Sequence, residues 1–349
     1  MKVLVVGDVH WSEYSSIIRK RGNKYSKRLE NLINSLNWVE EQAEKLSVDR
    51  VLFLGDFFDK QSLNANELSA LQEVVWSNKD HIFIVGNHEG LSEDLSISSA
   101  HLFKLIPNTR VIDKPELDIG FGYEFLYLPY CLEKNRKTIS ETLGPLYKKD
   151  VFVTQEVKLL YVFSHNDIKM QYGLLKSENG YDPEDIDRSC SLFLNGHLHN
   201  GGKFSEVGYN VGNLTGQNFS EDAEHYQHQI CILDTDRETL TWEENPYAFN
   251  LYKFDVNTVE ELNNKLNILK DNAVLTIKAP EQITSEVREI LLKNNKVKDF
   301  RVVSIVGRES KQEEQKLESV NHLDEFVNFI RNNMEVTPKV IEELSYICK

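Results

Sequence analysis

The chain has 349 residues, 40% of them hydrophobic and 27% charged, which is more than one domain usually holds, so one large domain with a smaller appendage is expected. No apolar run approaches the ~18 residues of a membrane helix, and MKVLVVGDVH is broken at Asp8 before it could act as a signal segment, so a cytoplasmic protein without membrane contact is expected. The formal charge of −15 excludes a protein that coats nucleic acid with its whole surface, though not one with a local basic strip.

Taken from the N-terminus, VLVVG at 3–7 is the first of five apolar runs. The others are VLFLG at 51–55, IFIVG at 82–86, LLYVFS at 159–164 and LFLNG at 192–196. Continuous rather than alternating apolarity suits strands buried on both faces. Between the first two runs, residues 27–46 place Leu29, Leu32, Ile33, Leu36 and Val39 at helical spacing. Alternating strands and helices predict an α/β fold, a layered β-sandwich flanked by helices, over residues 1–245. From 246 to 307, LYKFDV, TVEELNNKLNIL, AVLTIKA, SEVREILLKNN and FRVVSIV read as strand, helix, strand, helix, strand, a small second α/β domain. Residues 308–320 are charged and read as a linker. Two amphipathic helices are expected over 321–349, one with Leu323, Phe326, Val327 and Ile330 on a face, the other opening at Thr337 before Pro338. Cys131, Cys190, Cys231 and Cys348 lie far apart without a CxxC pair, which suggests neither a disulfide framework nor a cysteine zinc site and fits a reducing compartment.

The chemistry sits immediately beyond each apolar run. Asp8 and His10 come after the first, Asp56 and Asp59 after the second, Asn87, His88 and Glu89 after the third, His165 after the fourth, and His197 and His199 after the fifth. The carboxyl ends of strands line the ligand crevice of open α/β sheets, so five strand ends can deliver these side chains to one place. A lone histidine is usually a packed or hydrogen-bonded one, but Asp, His and Asn together are a ligand set for divalent Mn, Fe or Zn. Two ions about 3.5–4 Å apart, sharing a carboxylate, would clamp a phosphoryl displacement.

GDVH at 7–10, GDFFD at 55–59, GNHE at 86–89, His165 after its strand, and GHLH at 196–199 resemble the calcineurin-like metallophosphoesterase superfamily. The resemblance implies that Asp8, His10, Asp56 and His199 hold one ion and Asp56, Asn87, His165 and His197 a second, with Asp56 bridging. His88 would then sit outside the metal shell, steadying phosphoryl oxygens or protonating the leaving group, and Asp59 would orient it; a helix N-cap is the other reading of Asp59. Two Mn ions are the implied cofactors, with Mg, Fe or Zn as alternatives.

Protein phosphatases of the superfamily usually continue the second motif with Arg-Gly, whereas GDFFD runs into Lys60 and Gln61. The layout is closer to SbcD-type nucleases of DNA repair and recombination, including compact phage members. VGNLTGQNFSEDAE at 211–224 resembles the segment that closes their nuclease domain, 246–307 their capping domain, and 321–349 the region that docks on an SMC-like coiled-coil ATPase of the SbcC type. This implies an exonuclease on duplex ends and a single-strand endonuclease, a homodimer working with that ATPase. A phosphomonoesterase or protein phosphatase, and a metal-stabilised scaffold without catalysis, are the alternatives. The chain departs from the nucleases at Glu89, where aspartate is common, at Trp11-Ser12, and at FSHN around His165. Arg19, Lys20, Arg21, Lys24, Lys27 and Arg28, in RKRGNKYSKR, form a basic strip expected to touch DNA phosphates, a solvated surface being the alternative. Trp11, Phe57 and Phe58 could stack on bases, with core packing as the other reading.

Overall fold

A strand whose two faces are both covered has no polar side to show, and the five continuous apolar runs occupy such positions. The computed structural model describes residues 1–305 except 16–17, 19–21, 121, 148–158, 170, 173–174, 177, 218–220, 222 and 225. Expectations for Arg19, Lys20, Arg21, the 308–320 linker and the 321–349 helices lie outside the described residues.

The chain opens with β1 (Lys2–Val6), α1 (Lys27–Lys45), β2 (Arg50–Phe53), α2 (Ala65–Leu71), β3 (Asp80–Ile84), β4 (Thr109–Ile112), β5 (Glu116–Ile119) and β6 (Tyr123–Leu128). It continues through α3 (Ile139–Tyr147), β7 (Leu159–Ser164), β8 (Gln171–Tyr172), β9 (Leu175–Lys176), α4 (Pro183–Ser189), β10 (Leu192–Asn195), β11 (Gly202–Lys203) and β12 (Gly208–Asn210). The last described elements are β13 (Gln229–Asp234), β14 (Thr239–Glu244), β15 (Asn250–Asp255), α5 (Val259–Leu266), β16 (Ala273–Pro280), α6 (Thr284–Lys293) and β17 (Val297–Ile305). Two six-stranded sheets form, ordered β14-β13-β1-β2-β3-β4 and β11-β12-β10-β7-β6-β5. Their centres are parallel, β1 to β4 in one and β6, β7, β10 and β12 in the other, with antiparallel strands at the margins.

Alternate residues of each strand serve different layers. Val3, Val5, Leu52, Leu54, Ile82 and Ile84 point between the sheets, meeting Phe125, Tyr127, Phe163 and Leu194. Their neighbours Leu4, Val6, Val51, Phe53 and Phe83 point outward onto Leu29, Leu32, Leu36 and Val39 of α1. On the far side, Leu126, Leu128, Val162 and Phe193 meet Ile139 and Leu143 of α3 and Ile186 of α4. The result is helix, sheet, sheet, helix. Helix α1 begins where expected because the Ser26 side chain accepts from the Leu29 amide at 3.2 Å, a cap worth about 1 kcal/mol.

The segment after Asn245 forms the expected strand, helix, strand, helix, strand: parallel β15, β16 and β17 with α5 and α6 between them. It has its own core of Tyr252, Phe254, Leu262, Leu275, Ile277, Val287 and Leu291. A smaller cluster of Ile18, Phe249, Leu251 and Val274 joins it to the sandwich. Among the described residues no helix is long and apolar enough to cross a membrane, and Cys131, Cys190 and Cys231 are free thiols.

Candidate metal centre

Every candidate ligand lies within a few residues of the carboxyl end of a parallel strand, and the two sheets bring those ends together. The imidazole Nδ1 of His165, beyond β7, donates to the Leu54 carbonyl beyond β2 at 2.7 Å. The His197 amide, beyond β10, donates to Asp8 Oδ1, beyond β1, at 3.0 Å. The loops after β1 and β2 are zipped by His10 N to Asp56 O (2.9 Å) and Trp11 N to Phe57 O (2.7 Å). His10, Asp56 and His197 take left-handed backbone with φ of 50°, 44° and 71°, strain of about 1–3 kcal/mol each that the surrounding structure must hold in place. Gly55, at φ 102°, passes so close that a Cβ there would lie 2.4 Å from His165 Nδ1; a Cβ on Gly86 would lie 2.2 Å from Asp56 Oδ1.

Two neighbouring ligand groups result. Asp8, His10 and His199 form one, and Asp56, His165 and His197 the other, the candidate atoms of each within 4.8 Å of one another. Asn87 joins the second group, its Oδ1 lying 2.9 Å from His197 Nδ1 and 3.1 Å from His165 Nε2. His10, Asp56 and His88 also meet that distance criterion. Yet His88 Nε2 is 3.9 Å from Asp56 Oδ2 and its side chain is 40% exposed, against 1% for His10 and 0% for His165. His88 therefore stands at the mouth while the others form the floor.

These residues fit a pair of cations. Asp8 Oδ2 is buried without a hydrogen-bond partner. The Nε2 atoms of His10 and His199 face one another at 3.1 Å, while the opposite nitrogens, Nδ1, are turned to Asp59 Oδ1 at 3.1 Å and Glu221 Oε1 at 3.3 Å. With the Nδ1 protons assigned to those carboxylates, two lone pairs converge beside Asp8, an arrangement that calls for a positive charge between them. The second group behaves alike. His165 Nε2 lies 3.2 Å from Asp56 Oδ2, its other nitrogen being committed to the Leu54 carbonyl.

Charge is set by this crowding. Burial pushes the Asp56 carboxyl up, but the imidazoles of His165, His10 and His88 outweigh it and hold the group below the usual carboxylate range. Asp59 is held low in the same sense, its burial offset by hydrogen bonds from His10 and His88. The hydrogen bond to Asp59, opposed by burial and aided by Asp56, raises His88 to about 9. Glu89 goes the other way: burial, then the Asp56 charge, lift it to about 7.

Several expectations change here. Asp59 is not a helix cap, since α2 is capped by Asn64 in a capping box with Glu67; its Oδ1 lies 3.1 Å from His10 Nδ1 and 3.5 Å from His88 Nδ1, so it touches both. Arg28 is not a surface phosphate contact. It is buried, donating to the Gly216 carbonyl and to Gln217 Oε1, both at 2.7 Å, and to the Val9 carbonyl at 3.3 Å. Burial lowers its pKa to about 10. Lys24 is exposed and ion-paired with Glu73, and Lys27 is half-buried at the start of α1. Trp11, Phe57 and Phe58 are buried in the aromatic core, as their packing reading expects, and are not available to bases.

The sequence reading missed the residues that hold the ligand loops. Glu89, the departure from the nuclease pattern, accepts from the Phe58 and Gly86 amides, both at 2.9 Å, and so ties the loop after β2 to the loop after β3. Asn166 accepts from the Cys131 amide and donates to the Leu128 and Pro129 carbonyls, which explains an asparagine after His165. An acidic or amide residue immediately after a motif histidine was the signal for both.

The model of the calcineurin-like phosphoesterase family matches residues 1–201. The chain belongs to the calcineurin-like phosphoesterases. Members of this family hold a dinuclear metal site, and this phosphoesterase is a metal-dependent hydrolase with the ligand groups for one. Among solved structures it is similar to an archaeal phosphodiesterase (14% identity, TM-score 0.35, covering 70% of this chain and 99% of that one). It is also similar to a protein from Thermus thermophilus (9%, TM-score 0.40, 70% and 98%) and to a dimetal phosphatase from Danio rerio (14%, TM-score 0.38, 66% and 91%). No curated protein matches the phosphoesterase.

Proposed function

We propose that this phosphoesterase is a two-metal DNA nuclease of the SbcD type, cutting duplex ends and single strands in double-strand break repair or recombination, with manganese as its metal and an SMC-like coiled-coil ATPase as its partner. The observation that carries the choice of a diester is the fate of Lys60 and Gln61, which follow the second motif. Lys60 spends its ammonium on the buried carboxylate of Glu67 at 2.7 Å, and Gln61 donates to the Gly90 carbonyl. The position where related phosphatases carry arginine thus offers no free cation, which suits a singly charged diester better than a doubly charged monoester. The small β15 to β17 sheet after the sandwich supports this reading, a small domain in that place being what the resemblance to such nucleases implies.

Two divalent cations held by Asp8, His10, Asp56, Asn87, His165, His197 and His199 would polarise the phosphoryl oxygens and lower the pKa of water. The chain's own part in the reaction belongs to His88. Its Nδ1 is held by the Asp59 carbonyl at 3.1 Å, which leaves Nε2 facing Asp56 at 3.9 Å, where it can steady a phosphoryl oxygen or give a proton to the departing alkoxide.

The test is incubation of the protein with manganese and linear duplex DNA, single-stranded DNA, bis(p-nitrophenyl) phosphate and p-nitrophenyl phosphate, with and without the ATPase. Cleavage of DNA and of the diester is expected. Rapid monoester hydrolysis with DNA left intact would replace the nuclease reading by a phosphatase.

A further inference from the structure

The GHLH turn uses its two histidines differently. Leu198, between them, packs onto the outer core around Phe193, which leaves His197 and His199 on either side of the turn. His197 presents Nδ1 to Asn87 Oδ1 and turns Nε2 to Asp167 Oδ1 at 3.0 Å. His199 does the reverse, presenting Nε2 to His10 and turning Nδ1 to Glu221 Oε1 at 3.3 Å.

We infer that Asp167 and Glu221 are positioning residues that lock these two histidines in opposite tautomers, so that His197 binds its metal through Nδ1 and His199 binds the other through Nε2. The inference rests on the two-metal reading of the site. Both carboxylates are themselves fixed. Arg136, only 6% exposed, places Nη2 3.5 Å from Asp167 Oδ2 while Nη1 donates to Asn166. Glu221 is buried and accepts from Asn213 Nδ2 at 2.8 Å and from the Gln217 amide at 3.1 and 3.0 Å. A carboxylate accepting the outer N–H of an imidazole settles which nitrogen keeps its lone pair and aims the ring, and loss of such a partner costs metal affinity without removing a ligand.

The lock separates the two ions, which makes it testable. Manganese titration by calorimetry should show two ions bound to the wild type. Asp167→Ala should weaken one of them about 10- to 100-fold and leave the other within about twofold. Asp167→Asn keeps an oxygen for the Nε2 proton and should recover most of the loss. Glu221→Ala should weaken the opposite ion, and Glu221→Gln, which keeps an oxygen for the Nδ1 proton, should recover most of that loss. In metal-free protein labelled with 15N-histidine, nuclear magnetic resonance should show His197 as the Nε2–H tautomer and His199 as the Nδ1–H tautomer, with His197 becoming a mixture in Asp167→Ala. Should buried Glu221→Ala not fold, the Asp167 pair decides alone, that carboxylate being 34% exposed. A wild type that binds no manganese overturns the two-metal reading; a wild type that binds two ions, with affinities unchanged in Asp167→Ala and Asp167→Asn, overturns the lock.

Discussion

Asp56 belongs to the second ligand group and also lies in reach of His10 of the first, while His88 stands at the mouth, and their burial separates their roles. The Asp56 side chain is 2% exposed and in reach of His165 and His88, whereas His88 is 40% exposed. Asp56→Ala is therefore expected to abolish binding of both ions, and His88→Ala to leave both bound while diester hydrolysis is lost. Manganese titration beside a hydrolysis assay reads the difference; equal loss of metal in the two variants would refute the assignment. Arg28 tests a different point. Its truncation would strand the carbonyls of Gly216 and Val9 and remove a buried charge near Glu221 and Asp59. A loss of about 3–5 kcal/mol in chemical denaturation is expected for Arg28→Ala, with no change for exposed Lys24→Ala. The motif ligands were legible in the sequence because Asp and His beside a strand end are chemically conspicuous. Arg28 was not, because a run of six cations says nothing of which one faces inward.

At the scale of elements, the site depends on loops that approach too closely for any side chain but the one present. Gly86→Ala would push a Cβ against Asp56 Oδ1 and the Asp56 amide, at 2.2 and 2.4 Å. Weakening of manganese binding by more than about tenfold is expected, measured by titration; unaltered affinity would mean that the loop after β3 yields freely. Residues 213–216 and Ala223 strap the two parts of the fold together. They tie Asn213 N to His199 O, Leu214 N to Asp8 O, Gly216 N to Phe249 O and Ala223 N to Leu251 O. Thus the backbone of two metal-ligand residues and the approach to β15 share one segment. Five of the parallel strands, β1, β2, β3, β7 and β10, were readable from unbroken apolarity. The parallel β4, β6 and β12 and the antiparallel β5, β11, β13 and β14 were not singled out, and among these the brief β11 and β12 and the exposed, alternating β14 carry little continuous apolar signal.

For the whole molecule, every proposed ligand comes from residues 8 to 199, spread over both sheets. Binding two ions should then stabilise the sandwich as a unit, by about 2.7 kcal/mol for an ion at one hundred times its dissociation constant. Excess manganese is expected to raise the thermal midpoint of the wild type and chelation to lower it, with little response in Asp56→Ala; a midpoint indifferent to manganese would contradict the coupling. Deletion of residues 321–349 removes no site residue, so cleavage of short single strands should persist while ATPase binding is lost. A pull-down with the truncated chain checks this, and undiminished capture would place the docking surface elsewhere.

What the sequence by itself determined is the chemistry of the centre: seven oxygen and nitrogen donors, each delivered by a strand end, because side-chain identity and apolar patterning are local properties. Only the tertiary structure decided which nitrogen each histidine presents, that Asp59 touches two histidines, that Glu89 holds two loops, and that Arg28 is a clamp. Those outcomes depend on partners up to 189 positions away, as with Arg28 and Gln217, and burial and proton placement are set by such partners rather than by neighbours along the chain.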